Sequence, residues 1–256
     1  MEVTFSALFL GSRALMAKVC QSLEQPAVPT DSYFSMHSIQ TIKVTGPDAF
    51  EFLQAQLTND LRRLASEAEI LAAWCSPKGR VIWFGTVFSV DTGYGLSAPA
   101  ETADAIVKRM TMFRFRSKVE FEVTDDGQTV DPAFLIEHGY PYIGSSQVEQ
   151  FTPHMLNLDR LDAISMDKGC YPGQEIVART HYKGATKRRA IRFASDAPVY
   201  AGDKVSLDGR DVGEVLNVSD RNLLAVVPVD LADAGLSVGD IMLSHEPLRS
   251  LEPDPK

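Results

Sequence analysis

The sequence lacks the features that mark membrane-spanning or disulfide-bonded proteins. No apolar run approaches the roughly 20 residues that are needed to span a bilayer. The apolar run at residues 3–10 follows Glu2 rather than a basic region, so we expect no signal peptide. The three cysteines, at 20, 75 and 170, form no C-x-x-C pair, and their odd number favours a reducing compartment. We therefore expect a cytoplasmic protein without a membrane partner.

Several catalytic and binding motifs are also missing. The five histidines form neither an H-x-x-x-H nor an H-E-x-x-H pattern, so we expect no protein metal site. No G-x-S-x-G elbow supports serine hydrolase chemistry. Neither a G-x-x-x-x-G-K-[ST] loop nor a G-x-G-x-x-G loop supports nucleotide binding. The common hydrolase, metalloenzyme and nucleotide-binding classes are therefore not indicated.

The apolar pattern predicts an α+β protein in two parts. The 256 residues suffice for one or two domains, with an ordinary 45% hydrophobic and 23% charged content. Past residue 190, short β-rich runs alternate with Gly-Asp and Asp-Gly turns, which is typical of a small antiparallel barrel or sandwich. The earlier part predicts strands at 33–44, 70–75, 81–90 and 118–123, helices at 47–54 and 99–112, and a turn at 125–127.

The most specific signal is the segment of residues 168–175, Lys-Gly-Cys-Tyr-Pro-Gly-Gln-Glu, called the signature loop below. Pro172 suits the first turn of a helix, so we predict a helix beginning there. Cys170 would then lie at a helix N-terminus, beside the positive charge of Lys168, which favours a reactive thiolate. On physical grounds alone the commoner reading is a buried, structural cysteine.

This segment resembles the signature of the YgfZ family of folate-binding proteins. These are relatives of the glycine-cleavage T-protein, an aminomethyltransferase, and are linked to iron–sulfur enzyme maintenance and tRNA modification. Further similar segments lie at residues 46–48, 52–60, 76–80, 151–165 and 177–188. The resemblance implies an aminomethyltransferase-like folate-binding domain, residues 1–190, followed by a small C-terminal β-barrel, residues 191–256.

The resemblance also implies a folate-type cofactor, tetrahydrofolate or a derivative, and iron–sulfur client proteins as partners. Cys170 would be the reactive thiol, if there is one. Where the aminomethyltransferases carry an acidic pair, this chain has Trp83 and Phe84. Their rings could stack on a pterin, whereas the residues alone favour a place in the strand core. The predicted cofactor-binding residues are Lys168, Gly169, Cys170, Tyr171, Gly173, Gln174, Glu175, Arg179, Lys187, Arg188 and Trp83.

Residues 176–194 contain six Lys or Arg side chains and no Asp or Glu, which we call the basic stretch. It is either a solvated segment, a surface for the glutamate tail of a folate, or a surface for RNA phosphates. A net charge of −9 disfavours tRNA as the partner. Two alternative functions stay open: a folate-dependent one-carbon transferase, with Glu175 as its acid, and an RNA-associated factor in tRNA modification.

The middle of the chain is shortened relative to the family pattern. Residues 113–119 and 136–141 resemble family segments that a sizeable stretch separates in longer relatives, yet here they nearly abut. We therefore expect a folate pocket that is more open, or that a second subunit completes.

Overall fold

The computed structural model describes residues 36–184 and 186–249. Within these ranges the α-helices are α1 (Ala49–Gln56), α2 (Ala100–Phe113), α3 (Pro132–His138) and α4 (Gln174–Lys183). The strands are β1 (His37–Thr45), β2 (Glu69–Cys75), β3 (Val81–Val90), β4 (Gly93–Pro99), β5 (Glu120–Val130), β6 (Arg188–Ser195), β7 (Lys204–Leu207), β8 (Arg210–Ser219), β9 (Asn222–Pro228), β10 (Ser237–Val238) and β11 (Ile241–Glu246). The strands and helices predicted for the first part are present, except that residues 33–35 lie outside the described ranges.

The first part is built on a five-stranded antiparallel sheet of order β2-β3-β4-β1-β5. Side chains alternate between its two faces, as the strand period requires. One face packs with α1 and α2 in a core that includes Phe52, Leu53, Ile106 and Met110. The other face packs against the segment that contains α3 and against one side of the barrel. The sheet therefore lies between two cores.

The turn predicted at residues 125–127 is wrong, because β5 continues through it. Gly127 has a φ of 66° and donates its amide to Asp125 Oδ1, at 3.0 Å, which is turn-like local geometry. The pairing with β1 nevertheless resumes on both sides of a register shift between Ile39 and Thr41. The Asp-Asp-Gly sequence therefore forms an irregularity within a paired strand, as at a β-bulge.

The second part is a closed barrel of order β10-β11-β6-β9-β8-β7, which confirms the predicted C-terminal barrel and the α+β class. The barrel begins at Arg188, so the boundary that we predicted at 190 falls within β6. Its Ala190 and Leu216 share a buried cluster with Ala73 and Phe84 of the sheet. The two parts are thus joined by a common apolar core.

Candidate functional site

The signature loop lies outside the helix that follows it. The N-cap of α4 is Gly173, with a φ of 80°, and the first helical residue is Gln174. The prediction that this helix begins at Pro172 is therefore wrong by two residues, since a residue at positive φ cannot continue a right-handed helix. Cys170 is exposed and precedes the N-cap, so it does not sit in the first helical turn.

Lys168 is buried and does not face the Cys170 thiol with a free charge. It is 9% exposed, and its Nζ donates hydrogen bonds to the carbonyl oxygens of Gln54 and Leu57 at the C-terminal end of α1. Its ammonium also lies 5.3 Å from the centre of the Tyr171 ring. Burial lowers the pKa of Lys168 from 10.5 to about 8. The structure thus gives Lys168 a structural role, because two of its donors serve backbone acceptors that the helix leaves unpaired.

The signature loop packs directly on the β2–β3 hairpin. A Cβ placed on Gly173 would lie 2.5 Å from the carbonyl oxygen of Ser76 and 2.7 Å from the Cα of Gly79. A Cβ placed on Gly79 would in turn lie 2.8 Å from the Cβ of Ile176. Both positions therefore require glycine for close backbone approach. The structure thus gives Gly173 a packing role.

The remaining signature residues divide between surface and interior. Gly169, Cys170 and Glu175 are exposed, and Gln174 is half-buried. Tyr171 is buried, and burial raises the pKa of its phenol. The exposed members form a surface on which Cys170 is the only nucleophile of this octapeptide that solvent reaches.

The described side chains of the basic stretch differ in exposure. Arg189 is buried and makes two hydrogen bonds of 2.9 Å to the carboxylate of Asp159. Burial raises the pKa of Asp159, but the Arg189 guanidinium overcompensates and holds it below its ordinary value. Arg179 and Lys187 are exposed. Arg189 is therefore not an exposed cation of the basic stretch, whereas Arg179 and Lys187 are.

Arg188 is exposed and lines a polar cavity of about 390 Å³ between the first part and the barrel. Arg80 and Lys204 lie in the same lining, together with Asp211 and Glu214. Lys204 forms an ion pair with Glu214, and Arg188 donates to the carbonyl oxygen of Val212. The acids offset much of the positive charge in this cavity.

Trp83 is 0% exposed, and its indole nitrogen donates to the carbonyl oxygen of Ser97 at 2.9 Å. Its ring belongs to the core beneath α1 and α2. This corrects its assignment as a cofactor contact, because strand alternation points it away from the opposite face of the sheet. The neighbouring Phe84 points to that opposite face.

Phe84 lines an apolar cavity of about 200 Å³, called the sheet cavity below. Tyr140 and Tyr142 contribute two more aromatic side chains, and Glu69 contributes a carboxylate. Burial, and secondly the charge of Glu69, raise the pKa of Tyr140. Burial, with the charge of Glu101, raises the pKa of Tyr142 to about 12. The cavity thus combines aromatic walls with a single acidic group.

The structure does not bring the signature loop and the sheet cavity together. The lining of the cavity comes from residues between Ile39 and Ile143. The signature loop instead lies at the β2–β3 turn, against Gly79. Sequence reasoning missed Glu69 and Tyr142. The signal available for Tyr140 was its place in the similar segment at residues 136–141.

Within the described part of the chain, no cluster of three or more His, Cys, Asp or Glu side chains could hold a metal ion. None of the helices in residues 36–184 and 186–249 is long and apolar enough to cross a membrane.

Known proteins resemble the chain in both sequence and structure, although no protein-family model matches it. An uncharacterized protein of Haemophilus influenzae is 30% identical over 203 residues, covering 63% of this chain and 72% of the relative. A protein of Serratia proteamaculans named tRNA-modifying protein YgfZ is 25% identical over 303 residues, covering 85% and 91%. A protein of Sodalis glossinidius with the same name is 26% identical over 245 residues, covering 68% of this chain and 75% of the relative.

The solved glycine cleavage system aminomethyltransferase T of Bartonella henselae has a similar fold. The TM-score is 0.59 at 14% identity, over 85% of each chain. The 303-residue alignment with the Serratia protein is longer than the 256 residues of this chain, so that relative carries segments which are absent here. This agrees with a shortened chain.

Proposed function

Because the chain belongs to the YgfZ family, we propose that it binds a reduced folate, tetrahydrofolate or a derivative, and supports iron–sulfur proteins in the cytoplasm. The fold shared with an aminomethyltransferase supports a folate ligand. The observation that carries the proposal for this chain is the sheet cavity, with its aromatic walls and its carboxylate.

The chemistry of the sheet cavity suits a pterin. A pterin is a flat ring system, which stacks favourably on aromatic side chains such as Phe84 and Tyr140. Its amino-pyrimidinone edge carries adjacent N–H donors, which a carboxylate such as that of Glu69 accepts in pairs. The volume of about 200 Å³ is below the range of drug-sized sites. We therefore place only the ring in the cavity, with the glutamate tail outside it.

A calorimetric titration tests this placement. We expect wild-type protein to bind tetrahydrofolate with micromolar affinity, roughly −8 kcal/mol. Leu135→Trp adds a bulky ring to the cavity lining and should abolish the heat of binding. The matched control carries Glu175→Gln and Arg179→Gln, both at exposed positions of α4, and should bind normally. Absence of heat with wild-type protein at millimolar folate would remove the proposal.

We assign the action on iron–sulfur client proteins to Cys170, the exposed thiol of the signature loop. Cys170→Ser should preserve folate binding, since the sheet cavity lies elsewhere, but should fail to restore iron–sulfur enzyme activity in a bacterium that lacks its own family member. Ser145→Ala, at another exposed position, is the control and should restore activity. Full restoration by Cys170→Ser would contradict a role for the thiol.

A one-carbon transferase is the second candidate function, and the position of Glu69 favours it. General acid–base work on a folate needs a carboxyl group near the ring, and Glu69 lines the sheet cavity. Glu175, the candidate from sequence, is exposed in the first turn of α4 instead. Steady-state assays of one-carbon transfer to tetrahydrofolate decide: turnover that Glu69→Gln abolishes supports a transferase, and no turnover supports a binding protein.

An RNA-linked role is named for the relatives of Sodalis and Serratia, which are called tRNA-modifying proteins. The basic stretch, from which we drew this alternative, retains Arg179, Lys187 and Arg188 as exposed cations. Arg189 forms an ion pair with Asp159. We therefore do not place an RNA site on the basic stretch.

A further inference from the structure

The loop after α2, residues 113–118, presents an aromatic ring to solvent. Phe115 is 86% exposed and has a φ of 45°. Left-handed backbone is rare for bulky residues, and such outliers concentrate at functional positions. The two neighbours, Arg114 and Arg116, are exposed as well. We call this segment the basic–aromatic loop.

The backbone of the basic–aromatic loop is held in place by a turn and at its C-terminal end. Ser117 donates its amide to the carbonyl oxygen of Arg114 at 2.8 Å. Lys118 donates its amide to Asp48 Oδ2 at 2.7 Å. A Cβ at Gly46 would lie 2.3 Å from the carbonyl oxygen of Lys118, so two backbone segments are in close contact there. The exposed ring is thus carried on a preorganised turn, which lowers the ordering cost of binding a ligand.

Phe115 is one of the residues that line a cleft of about 320 Å³. Pro47 lines it with an apolar surface, and Arg114 and Lys118 line it with cations. Glu120 supplies a carboxylate that can accept a hydrogen bond from a hydroxyl group. Arg114 also donates to the carbonyl oxygen of Val119 at 3.2 Å. The cleft therefore offers a stacking surface, the Lys118 ammonium for a phosphate and one acceptor, within the size range of small-molecule sites.

Basic side chains are concentrated in the segment that carries this loop, with the acids Asp48 and Glu120 beside it. Residues 105–119 contain five basic side chains and no acid, in a chain whose net charge is −9. Arg109 is paired with Glu149. The other four are exposed: Lys108, Arg114, Arg116 and Lys118. A local positive field of this kind attracts phosphates although the whole protein is acidic.

We propose that the basic–aromatic loop binds single-stranded RNA, with an unstacked base on Phe115 and the adjacent phosphates on Arg116 and Lys118. Proteins bind unpaired nucleotides by stacking the bases on aromatic rings and contacting the phosphates with nearby cations. The Glu120 carboxylate can accept a hydrogen bond from a ribose 2′-hydroxyl, which DNA lacks. A protein partner would need an extensive apolar centre, whereas the exposed apolar side chains of this loop region are only Phe115 and Met112. This inference is independent of the folate proposal.

Fluorescence anisotropy with a labelled RNA hairpin carrying a single-stranded loop tests the proposal. The comparison probes are a fully paired RNA duplex and a DNA of the same sequence as the hairpin. The test variants are Phe115→Gly and the double change Arg116→Gln with Lys118→Gln. The matched controls are Tyr200→Ala, an exposed aromatic on the barrel, and Lys187→Gln with Arg188→Gln on the basic stretch.

We expect wild-type protein to bind the RNA hairpin more tightly than the duplex or the DNA. Phe115→Gly should weaken this binding by about tenfold, since base stacking is lost. Its melting temperature should be at or above that of wild type, because glycine accepts positive φ without strain. The double charge variant should reduce the salt slope of log K by about 2. Both control variants should bind as wild type does.

Three results would overturn the proposal. The first is no binding of the RNA hairpin at 50 mM salt, or equal binding of RNA and DNA. The second is loss of binding in the Lys187 and Arg188 variant while Phe115→Gly binds normally, which would move the site to the basic stretch. The third is Phe115-dependent association with vesicles of anionic lipid without RNA binding, which would identify a membrane surface instead.

Discussion

Gly173 of the signature loop and Gly79 of the β2–β3 hairpin are in such close backbone contact that a Cβ at Gly173 would lie 2.7 Å from the Cα of Gly79. The contact joins two segments that the sequence comparison with the YgfZ family singled out separately. Gly173 is also the N-cap of α4, so this contact lies where that helix begins.

Gly173→Ala should therefore lower the free energy of unfolding by roughly 2–4 kcal/mol, from left-handed strain and from overlap with the hairpin. Gly169→Ala is the matched control, since nothing lies within 4 Å of its added Cβ, and it should be nearly neutral. Denaturant titration measures both. Equal stability of the two variants would show that the β2–β3 hairpin moves away from the added Cβ with no loss of folding free energy.

Lys168→Met should destabilise the protein by about 1–3 kcal/mol, because the carbonyl oxygens of Gln54 and Leu57 lose their buried donor. Lys187→Met, at an exposed position, is the control and should change stability by less than about 0.5 kcal/mol. Thermal melting and urea titration at pH 7 provide the measurement. Similar small effects for both variants would remove the structural role of Lys168.

The stabilising effect of Lys168 should depend on pH. Its folded-state pKa of about 8 lies below the ordinary value of 10.5. Between these two pH values Lys168 therefore carries a proton in the unfolded chain and is largely neutral in the folded protein. Stability contributed through this group therefore rises as pH increases through that window, by up to about 1.4 kcal/mol per pH unit. The difference between wild type and Lys168→Met should widen from pH 8 to pH 10. A constant difference would contradict the lowered pKa.

Cys170 should react with iodoacetamide at least about 100-fold faster than Cys75 at neutral pH. Cys170 is exposed, whereas Cys75 is buried and burial raises the pKa of its thiol to about 12, so Cys75 reacts only after local opening. Peptide mapping separates these sites from Cys20, which lies outside the described residues. Comparable rates would show that the signature loop shields its thiol.

Asp159→Asn should lower the free energy of unfolding by roughly 3–5 kcal/mol, because it leaves the buried guanidinium of Arg189 without its carboxylate. Glu149→Gln, which breaks the more exposed pair with Arg109, should cost less than about 1 kcal/mol. Chemical denaturation of the two variants side by side measures the contrast. An Asp159→Asn effect as small as that of Glu149→Gln would contradict a buried, closely coupled pair.

The sequence predicted the sheet strands, α2 and the barrel, because strand alternation and the spacing of apolar residues in α2 are local signals. It did not predict the burial of Lys168, since the acceptors of that lysine come from α1, more than a hundred positions earlier in the chain. Nor did it reveal the sheet cavity, whose Glu69 and Tyr142 are brought together only by the tertiary fold. Local patterns thus determined the elements, and long-range packing determined the site.

The most direct test of the account is the dissociation constant of tetrahydrofolate for wild-type protein and for Glu69→Gln. If the Glu69 carboxylate holds the amino-pyrimidinone edge of the pterin, its loss removes charge-assisted hydrogen bonds of about 1.5–3 kcal/mol. We predict an affinity about 10- to 100-fold weaker for Glu69→Gln, measured at a temperature at which both free proteins are folded. Equal affinities for the two proteins would contradict a folate site in the sheet cavity.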